Sequence, residues 1–383
     1  MTGLDADVAV VGAGPVGSAT AIALAQNGMR VALLEKADRP RDKPCGEGLM
    51  PEGVACLREL GIDLPAPRFP PLRGVRYRMP GAGATLGLFR STDGAPLFGA
   101  GVRRTRLAEV MDAAVVEQSL VERQAPVRLL SLTQDSEAVT VLTSRGRLRV
   151  RWLIAADGLG SPTRRSLGWE MSAAPPHRRG LVGHLKVTAH GIQEVVVSFM
   201  EGADIYVAPT SDDELLAVVL ARADRLRGKG IEDYRRLVFS AHPEFAGAEM
   251  SAPLLSAGPF RVRPRRVADG RVFLAGDAAG FIDPLTGDGM TAGLAAAAML
   301  RDLICDGDPP AARYSKWHAA QWRRRSIVTG MALRLSSSHR LARRALAGTS
   351  RNPGALEALM QVSGGSRRLD RVGVRSWLAL AGY

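Results

Sequence analysis

Short apolar runs and helix-forming runs alternate at the start of the chain. Val8–Val11 is β-branched and apolar, which predicts a buried strand, and Arg30–Leu34 predicts a second one. Between them, Ser18–Gln26 has the composition of a helix, and Gly28 marks its end. A strand, a helix and a strand in this order predict a βαβ unit with parallel strands. The same reasoning predicts further helices at 51–60, 101–116, 231–239 and 291–302, and further buried strands at 149–155 and 271–275.

The middle of the chain has a different pattern, which begins after two consecutive prolines, Pro175 and Pro176, that interrupt regular structure. Four strands with short turns are predicted, at Leu181–Val187, Val195–Met200, Asp204–Ala208 and Leu215–Ala221. Strands joined by short connections form antiparallel sheets, so this part predicts a second domain inserted into the first. Alternating apolar and polar residues at 127–150 predict a β-hairpin, and the chain from Arg313 onward is mainly helical.

Glycines follow the first strand at the spacing GxGxxG. Gly12 permits a tight turn, Gly14 lets the backbone approach a pyrophosphate, and Gly17 lets the helix pack closely on the strand. The helix N-terminus adds free N–H groups and the positive end of the helix dipole. Glu35, after the second strand, is placed to accept hydrogen bonds from both ribose hydroxyls and would repel a 2′-phosphate. The segment therefore predicts a tightly held FAD or NAD rather than NADP.

Two later segments suit the same nucleotide. In RVFLAGDAAG, Asp277 follows a buried strand, at the edge of an α/β sheet where ligands bind, and suits the ribityl hydroxyls of a flavin. In DPLTGDGMTAG, a glycine-rich turn opens a helix. The amides near Gly287, Gly289 and Met290 are therefore expected to point at an anion, the N1–C2=O edge of a reduced flavin. A turn packed for structure alone is the alternative.

Three segments together resemble the fingerprints of FAD-dependent enzymes of the para-hydroxybenzoate hydroxylase superfamily: GAGPVG with Glu35, ADGLGSPTRR, and LAGDAAGFIDPLTGDGM. PCGEG and the late GDAAGFIDPLTGDG are similar to its geranylgeranyl reductase-like branch. The resemblance covers residues 5 to about 305. It implies an α/β fold, with a Rossmann-type FAD-binding domain, an inserted antiparallel β-sheet substrate domain and a helical C-terminal part.

The resemblance also assigns domains and site residues. The FAD-binding domain is expected at 1–75, 101–170 and 265–305, the substrate-binding sheet at 76–100 and 171–264, and the helical region at 306–383. By resemblance, Glu35 binds the adenosine ribose, Arg104 lies by the pyrophosphate and ribityl chain, and Asp277 binds the ribityl chain. Asp157 and Gly158 match a DG motif associated with FAD and transient NAD(P)H contact. The full set of expected cofactor-binding residues is Gly12, Ala13, Gly14, Pro15, Val16, Gly17, Glu35, Lys36, Cys45, Gly46, Arg104, Asp157, Gly158, Gly276, Asp277, Pro284, Gly287, Asp288, Gly289 and Met290.

Three functions fit these residues, with the catalytic residues unassigned and no metal expected. A monooxygenase that hydroxylates an aromatic, polyketide or lipid-like molecule is favoured, with FAD as the cofactor and NAD(P)H as a transient reductant. The alternatives are a reductase that saturates isoprenoid double bonds with reduced FAD, and a flavin-binding protein without turnover. The reductases carry the signature YxWxFP, of which DIYVAP keeps only Pro209 and puts Tyr206 at the Trp position. The halogenase motif WxWxIP is absent, which disfavours halogenation, and Gly280 stands where the monooxygenases usually have His.

The resemblance implies a small, hydrophobic substrate as the partner, and composition argues against nucleic acid. The net charge of +13 is almost all arginine, but aromatic residues are 5% and no nucleic-acid-binding module is present, so nucleic acid is not an expected partner. The three cysteines have no CxxC spacing, and the N-terminus lacks the basic region of a signal peptide, which together predict a reducing cytosol. Arg313–Leu346 contains nine basic residues and no acid. It predicts either peripheral contact with the inner membrane surface or a solvated helix face. The oligomeric state stays open.

A few single residues have two interpretations each. Cys45 is either a reactive thiol, which needs a lowered pKa from nearby basic residues, or a small packed residue. Tyr206 is expected in the substrate pocket or in the core. His184 and His190 have no visible partner and are interpreted as ordinary sheet histidines. Asp283 is expected to cap a turn rather than to touch the flavin.

Overall fold

The computed structural model of the protein describes residues 3–38, 42–171, 178–188, 190–306 and 310–382, so the predicted break at Pro175 and Pro176 lies outside them. The strands of these residues are β1 (Ala6–Val11), β2 (Val31–Leu34), β3 (Gly48–Leu49), β4 (Pro71–Leu72), β5 (Gly74–Met79), β6 (Gly83–Leu88), β7 (Gly99–Gly101), β8 (Val121–Gln124), β9 (Leu129–Gln134), β10 (Val139–Thr143), β11 (Gly146–Ala155), β12 (Arg178–Lys186), β13 (Val195–Met200), β14 (Ala203–Ser211), β15 (Glu214–Arg222), β16 (Glu249–Met250), β17 (Leu255–Ala257), β18 (Ala268–Asp269) and β19 (Val272–Leu274). The helices are α1 (Pro15–Gln26), α2 (Pro51–Glu59), α3 (Arg104–Val116), α4 (Pro162–Ser166), α5 (Ala223–Leu226), α6 (Ile231–Ala241), α7 (Gly289–Cys305), α8 (Ala311–Ser336), α9 (His339–Arg351), α10 (Gly354–Gly364) and α11 (Val374–Ala381), with short 3₁₀ helices at Pro243–Phe245, Gly276–Ala279, Pro284–Thr286 and Leu369–Arg371.

The first sheet has the strand order β18-β19-β11-β1-β2-β8, and β10 and β9 extend it beside β11. The strands β19, β11, β1, β2 and β8 are parallel, as a βαβ unit requires. The predicted hairpin is confirmed as the antiparallel β9, β10 and β11. Helices α1 and α7 pack on this sheet, and its apolar side chains form the largest core of the described residues.

Three helix boundaries differ from the prediction for local reasons. Helix α1 begins at Pro15 and not at Ser18, because proline suits the first helical position, where no N–H bond is needed. Helix α3 begins at Arg104, since 99–101 forms strand β7 instead. Helix α7 starts two residues earlier than predicted, at Gly289, and continues to Cys305.

The second sheet has the order β16-β12-β15-β14-β13-β5-β6, with β17 beside β12. The four predicted strands are confirmed and pair antiparallel. β13 has the predicted bounds, whereas β12, β14 and β15 are longer than predicted, so only residues 212–213 separate β14 from β15. One pair is parallel, with Val195 of β13 opposite Val75 of β5. The hairpin of β5 and β6 comes from an earlier part of the chain and joins the sheet through a long crossover, so its direction is not set by a short turn. Strand β5 also crosses the predicted domain boundary at residue 75, and the division into domains stays a prediction.

A small third sheet, in the order β3-β7-β4, connects the PCGEG loop to the start of α3. Its strands approach closely: a Cβ on Gly99 would lie 2.3 Å from the carbonyl oxygen of Leu49. This sheet therefore fixes the loop before β3 relative to Arg103 and Arg104.

The C-terminal part is helical, as predicted, and covers one face of the second sheet. Helix α9 contributes Ala342 and Leu346 to a core that also contains Tyr206 and Val218 of the sheet. Helix α10 contributes Met360 to a core with Leu72 and Phe89. Helices α9 and α10 therefore cover the face of the second sheet that lies nearer to the first sheet, and we call these helices the C-terminal roof.

Candidate functional site

Three loops meet at one edge of the first sheet because β1, β11 and β19 are parallel and end in register. Val11 lies opposite Ala155, and Ala155 lies opposite Leu274. The amide of Ala156 donates to the carbonyl of Val11, and the amide of Ala275 donates to the carbonyl of Ala155, both at 2.8 Å. The GxGxxG turn, the DG segment and the GDAAG segment are therefore neighbours in space.

The glycines of the GxGxxG turn have different surroundings. Gly12 has a φ of 99°, and a Cβ there would lie 2.7 Å from the carbonyl oxygen of Ala156. A Cβ on Gly17 would lie 1.8 Å from the carbonyl oxygen of Gly12. A Cβ on Gly14 would have, among the described atoms within 4 Å, only Arg104 Nη2 at 3.9 Å. Packing therefore requires glycine at 12 and 17, whereas Gly14 borders open space.

Glu35 is fixed beside this turn. Its Oε2 accepts a hydrogen bond from the amide of Ala13 at 2.8 Å, and its Oε1 accepts one from the amide of Ala37 at 3.0 Å. Each carboxylate oxygen keeps a second lone pair, so ribose hydroxyls still have acceptors here. The neighbouring Lys36 is exposed.

Val16 joins the first segment to the third. A Cβ on Gly276 would lie 3.1 Å from a methyl group of Val16, and one on Gly293 of α7 would lie 2.4 Å from it. Asp277, next to Gly276, is half-buried, and desolvation raises the pKa of its carboxyl, although the charge of Arg325 opposes the shift. Asp277, which is predicted to bind the ribityl chain, thus lies between the start of α1 and α7.

The DG segment turns sharply into helix α4. Asp157 Oδ2 accepts a hydrogen bond from the amide of Thr163 at 3.0 Å, while its Oδ1 is buried with no partner among the described residues. Gly158 has a φ of 84°, which favours glycine. Ser161 caps α4 by accepting from the amide of Arg164 at 2.9 Å.

Asp288 ties the start of α7 to two C-terminal helices. Its Oδ2 accepts from Arg325 Nε at 2.8 Å and from the Ser363 hydroxyl at 3.4 Å, and its Oδ1 accepts from the Thr286 hydroxyl at 3.0 Å. The Asp288 carboxylate is thus engaged within the protein and holds the C-terminal helices, so only its backbone is left for the predicted contact with the cofactor.

The turn before α7 offers fewer amides than expected. The amide of Gly287 donates to the carbonyl of Pro284 at 3.0 Å, so it is not free for an anion. The amides of Gly289 and Met290 belong to the first helical turn, where N–H groups lack intrahelical acceptors. Asp283 accepts from the amide of Leu285 at 3.1 Å, which confirms its capping role.

Cys45, Gly46 and Tyr206 meet where the PCGEG loop reaches the second sheet. A Cβ on Gly46 would lie 2.9 Å from the Tyr206 hydroxyl oxygen. Burial raises the pKa of the Cys45 thiol to about 11, with the nearby Glu47 carboxylate adding to the shift. A reactive thiol needs a lowered pKa, so the raised pKa favours the interpretation of Cys45 as a small packed residue. Tyr206 is buried, and burial raises its pKa well above the usual value.

Glu47 is the centre of a buried polar cluster. Its Oε1 accepts from Arg103 Nη1 at 3.2 Å and from the amide of Arg104 at 2.8 Å, and its Oε2 lies 2.8 Å from His184 Nε2. Arg103 also contacts Asp42, at 3.2 Å. Glu47 has a φ of 50°, a left-handed conformation that costs about 1–3 kcal/mol for a residue with a side chain.

Sequence reasoning missed this cluster. His184 lies in strand β12, as predicted, but it does have a partner, Glu47, which is 137 residues away in the chain. An acid inside a loop of prolines and glycines, followed later by the pair Arg103 and Arg104, was the available signal. His190 lies between β12 and β13 and not in a strand, so its interpretation as a sheet histidine is wrong. Its partners are the carbonyl of Ser211 and the amide of Ile192.

A cavity of about 290 Å³ lies between the PCGEG loop, the second sheet and the C-terminal helices. Its wall near the first domain contains Gly46, Pro284 and Gly287. The remaining wall is nearly all apolar, and its polar side chains are Tyr77, Tyr206, Thr286, Arg334, Thr349 and Ser363. The cavity thus runs from the predicted flavin site to the C-terminal roof.

Arg313, Lys316 and Arg323 are exposed on the first half of α8, but the aromatic face of this half packs inside the protein. Trp317 stacks on Tyr314 with ring centroids 5.8 Å apart, and Trp322 stacks on His318 at 6.2 Å. Arg325 is buried against Asp288. These aromatic and basic side chains are therefore unavailable to a membrane. No helix of the described residues is both long and apolar enough to pass through a bilayer.

Residues 5–305 match the family described as FAD binding domain. The chain belongs to this FAD-binding family. Among its relatives, a menaquinone reductase of Mycobacterium tuberculosis is 30% identical over 79% of this chain and 77% of that protein. A rifampicin monooxygenase of Streptomyces venezuelae is 28% identical over 75% of this chain and 61% of its own length. A digeranylgeranylglycerophospholipid reductase of Methanothermobacter thermautotrophicus is 26% identical over 82% and 81%.

The fold of the FAD-binding family is also seen in solved structures. The structure of a flavoprotein/dehydrogenase from Cytophaga hutchinsonii superposes with a TM-score of 0.82 at 19% identity, covering 94% of this chain and 92% of that one. The predicted α/β fold with its helical C-terminal part is confirmed.

Arg104 shows that the site of this FAD-binding protein fits the cofactor. The side chain is buried, its Nη1 has no hydrogen-bond partner among the described residues, and its Nη2 is the atom nearest to Gly14. An unpaired buried guanidinium is costly unless an anion accepts from it. A diphosphate over Gly14, at the N-terminus of α1, supplies that anion. The contacts of the individual cofactor-binding residues stay predictions.

Alkylation of the native FAD-binding protein should follow burial of its thiols. At about pH 8, with a pKa of about 11, roughly one Cys45 thiol in a thousand is ionised, and the residue is half-buried. We expect iodoacetamide to modify the exposed Cys305 first and Cys45 last, with Cys45 reacting faster as pH rises toward 11. Peptide mass mapping over time measures this. Equal rates at Cys45 and Cys305 would show that Cys45 is accessible and activated.

Proposed function

We propose that this protein is an FAD-dependent reductase that saturates a carbon–carbon double bond in the isoprenoid chain of a lipid. The observation that carries the proposal is the apolar cavity between the predicted flavin site and the C-terminal roof. Such a wall favours a hydrocarbon chain, because burial of apolar surface is favourable and few polar groups require partners.

One end of the cavity reaches the predicted flavin site, so a double bond placed there could be reduced. Gly46 and Gly287 bring it to the predicted flavin site, and the apolar side chains of Leu49, Val197 and Leu346 line it beyond. When bound, reduced FAD supplies a hydride to one carbon of the double bond. The other carbon needs a proton, so two hydrogens are added and the cofactor is left oxidised.

Two groups of this chain are placed to give that proton. The Tyr206 hydroxyl makes no hydrogen bond within the described residues and lies against Gly46, in the cavity wall. The Cys45 thiol precedes Gly46. The raised pKa of each keeps both groups protonated at neutral pH, which a proton donor requires.

The names of two relatives support this assignment. The menaquinone reductase and the digeranylgeranylglycerophospholipid reductase are reductases, and each matches this chain over more than three quarters of both lengths. We therefore propose a polyprenyl lipid, of the class to which menaquinone belongs, as the substrate. NAD(P)H is the proposed reductant of the flavin.

Hydroxylation is the second candidate, and it is the function favoured from the sequence. The rifampicin monooxygenase relative supports it, as does the enclosed cavity, because a hydroxylating flavoenzyme also excludes water from the reacting atoms. The wall, however, offers a phenol or polyketide few polar partners compared with its many apolar side chains.

One experiment separates these functions. The enzyme is reconstituted with FAD, reduced with dithionite and incubated without oxygen with menaquinone in detergent. A reductase yields a product heavier by two hydrogen atoms, identified by mass spectrometry. A hydroxylase yields a product heavier by one oxygen atom, and only after oxygen is admitted. If neither product forms while FAD stays bound, the protein is a flavin-binding protein without turnover of this lipid.

The Tyr206→Phe variant tests the proton donor. We expect turnover to fall by about a hundredfold with little change in KM, because only the hydroxyl is lost. Tyr77→Phe is the matched control: Tyr77 also lines the cavity, but it stacks on Phe199 at 5.8 Å and is not in the PCGEG contact. An equal loss in both variants would contradict a specific role for Tyr206.

A further inference from the structure

The cavity has exposed wall residues at two separate places. Gly287 is exposed at the end near the predicted flavin site. Arg334 and Leu341 are exposed at the other end, where α8 gives way to α9. These exposed residues bring the second place to the protein surface between α8 and α9, away from the predicted flavin site, and we call it the helical mouth.

Apolar side chains surround the helical mouth on its outside. Leu341 of α9 is 44% exposed, and Val374 and Leu378 of α11 are 74% and 48% exposed. Helix α11 packs very closely on α9, since a Cβ on Gly348 would lie 2.1 Å from the carbonyl oxygen of Ala379. The neighbouring Leu380 lines the cavity. An apolar surface therefore continues from the solvent side of these helices into the cavity.

The same surface is strongly basic. Residues 334–382 contain nine arginines and two carboxylates, and both carboxylates already have arginine partners: Glu357 pairs with Arg90 and Asp370 with Arg368. Six of the exposed arginines make no ion pair with any described carboxylate: Arg334, Arg340, Arg343, Arg344, Arg351 and Arg375. Their charge is thus uncompensated within the described part of the protein.

We infer that the helical mouth docks on a bilayer that contains anionic lipid, so that a lipid passes from the bilayer into the cavity. Exposed apolar side chains bordered by arginines are the pattern of helices that lie in a membrane interface. Each basic residue near an anionic surface adds favourable electrostatic energy. A second copy of the chain fits less well, because a symmetric contact at this face would bring unpaired arginines together. This inference rests on the proposed lipid substrate.

The docking surface is narrower than the sequence indicates. Within Arg313–Leu346, Trp317, Trp322 and Arg325 pack inside the protein. The exposed basic residues Arg313, Lys316 and Arg323 lie in the first half of α8, well before the helical mouth along the helix. The surface consists instead of the end of α8, the outer face of α9 and α11.

Vesicle sedimentation tests the inference with the FAD-loaded full chain. At low salt, the parent should bind vesicles of phosphatidylcholine and phosphatidylglycerol, and bind vesicles of phosphatidylcholine alone much less. Arg340→Glu/Arg343→Glu should weaken binding to the anionic vesicles by about tenfold or more. The control is Arg128→Glu/Arg147→Glu, which makes the same charge change at exposed arginines of the β9–β11 hairpin. It should bind as the parent does. Flavin absorbance and Tm verify that each variant is folded.

The apolar part has its own variant. Val374→Ser/Leu378→Ser should weaken vesicle binding and leave the remaining binding more sensitive to salt, because only the electrostatic attraction remains. Three results would overturn the inference: no binding by the parent, an equal loss in the control, or a dimer that Arg340→Glu/Arg343→Glu dissociates. Vesicle binding needs no turnover. An enzyme that binds vesicles without reducing a lipid would therefore remove the proposed substrate alone, and an active enzyme that does not bind would remove the docking alone.

Discussion

The Glu47→Ala variant is expected to lose about 3 kcal/mol of unfolding free energy, the lower end of the range for breaking a buried ion pair. Glu47 is 1% exposed and is the shared acceptor for Arg103, Arg104 and His184. Without it, the amide of Arg104 and the ring of His184 have no acceptor in the interior. Arg103 keeps its contact with Asp42, which limits the loss. Urea denaturation of the flavin-free protein measures it.

Two comparisons make the Glu47 prediction specific. Glu47→Gly should lose less than Glu47→Ala, because glycine adopts the φ of 50° without strain. Glu214→Gln removes another carboxylate that contacts Arg103, at 3.4 Å, but one that is partly exposed, so it should cost less than about 1 kcal/mol. If Glu47→Ala were no less stable than Glu214→Gln, the cluster would not be a main support of the PCGEG loop.

Alanine at Gly17 should impair folding, whereas alanine at Gly14 should leave folding unchanged and weaken FAD binding. Gly17→Ala places a Cβ 1.8 Å from the carbonyl oxygen of Gly12, a backbone atom that has no room to move, so we expect a sharp loss of folded protein. Gly14→Ala meets only the Arg104 side chain at 3.9 Å among the described atoms. It should leave the Tm of the flavin-free protein unchanged and weaken FAD binding by about tenfold or more, because the new methyl group occupies the path of the pyrophosphate.

Protein stripped of its flavin provides the measurement for Gly14. Its Tm is recorded, and FAD is then titrated in while flavin fluorescence is followed. Parent-like affinity in Gly14→Ala would mean that the open space beside Gly14 is not where the diphosphate lies, and the assignment of Arg104 would fall with it.

Local chemistry explains why the nucleotide-binding edge was predictable. The strand, the glycines and Glu35 follow one another within thirty residues, and parallel strands must end at a common edge. Asp277 could be placed for the same reason, because it directly follows a buried strand. Short-range signals, such as Ser161 before Pro162 and Gly28 after α1, also predicted their caps and ends correctly.

The remaining features depend on partners that are distant in the sequence. His184 acquires its role only when β12 carries it to the PCGEG loop, and nothing around it in the sequence names Glu47. The basic run of α8 was expected to form a surface, and Arg313, Lys316 and Arg323 are exposed. Arg325 is buried instead, because Asp288 supplies a carboxylate from 37 residues away. The parallel pairing of β5 with β13 has the same origin, since register across a long crossover has no local signal.

Asp288 has a consequence for how the two ligands influence each other. One carboxylate at the N-cap of α7 holds Arg325 of α8 and Ser363 of α10, so the helix predicted to border the flavin and the helices that line the cavity share an anchor. A ligand that binds only the folded form stabilises everything whose order depends on that form. Removal of FAD should therefore destabilise the helices around the cavity as well as the FAD-binding edge of the first sheet. The two regions should then unfold and refold together.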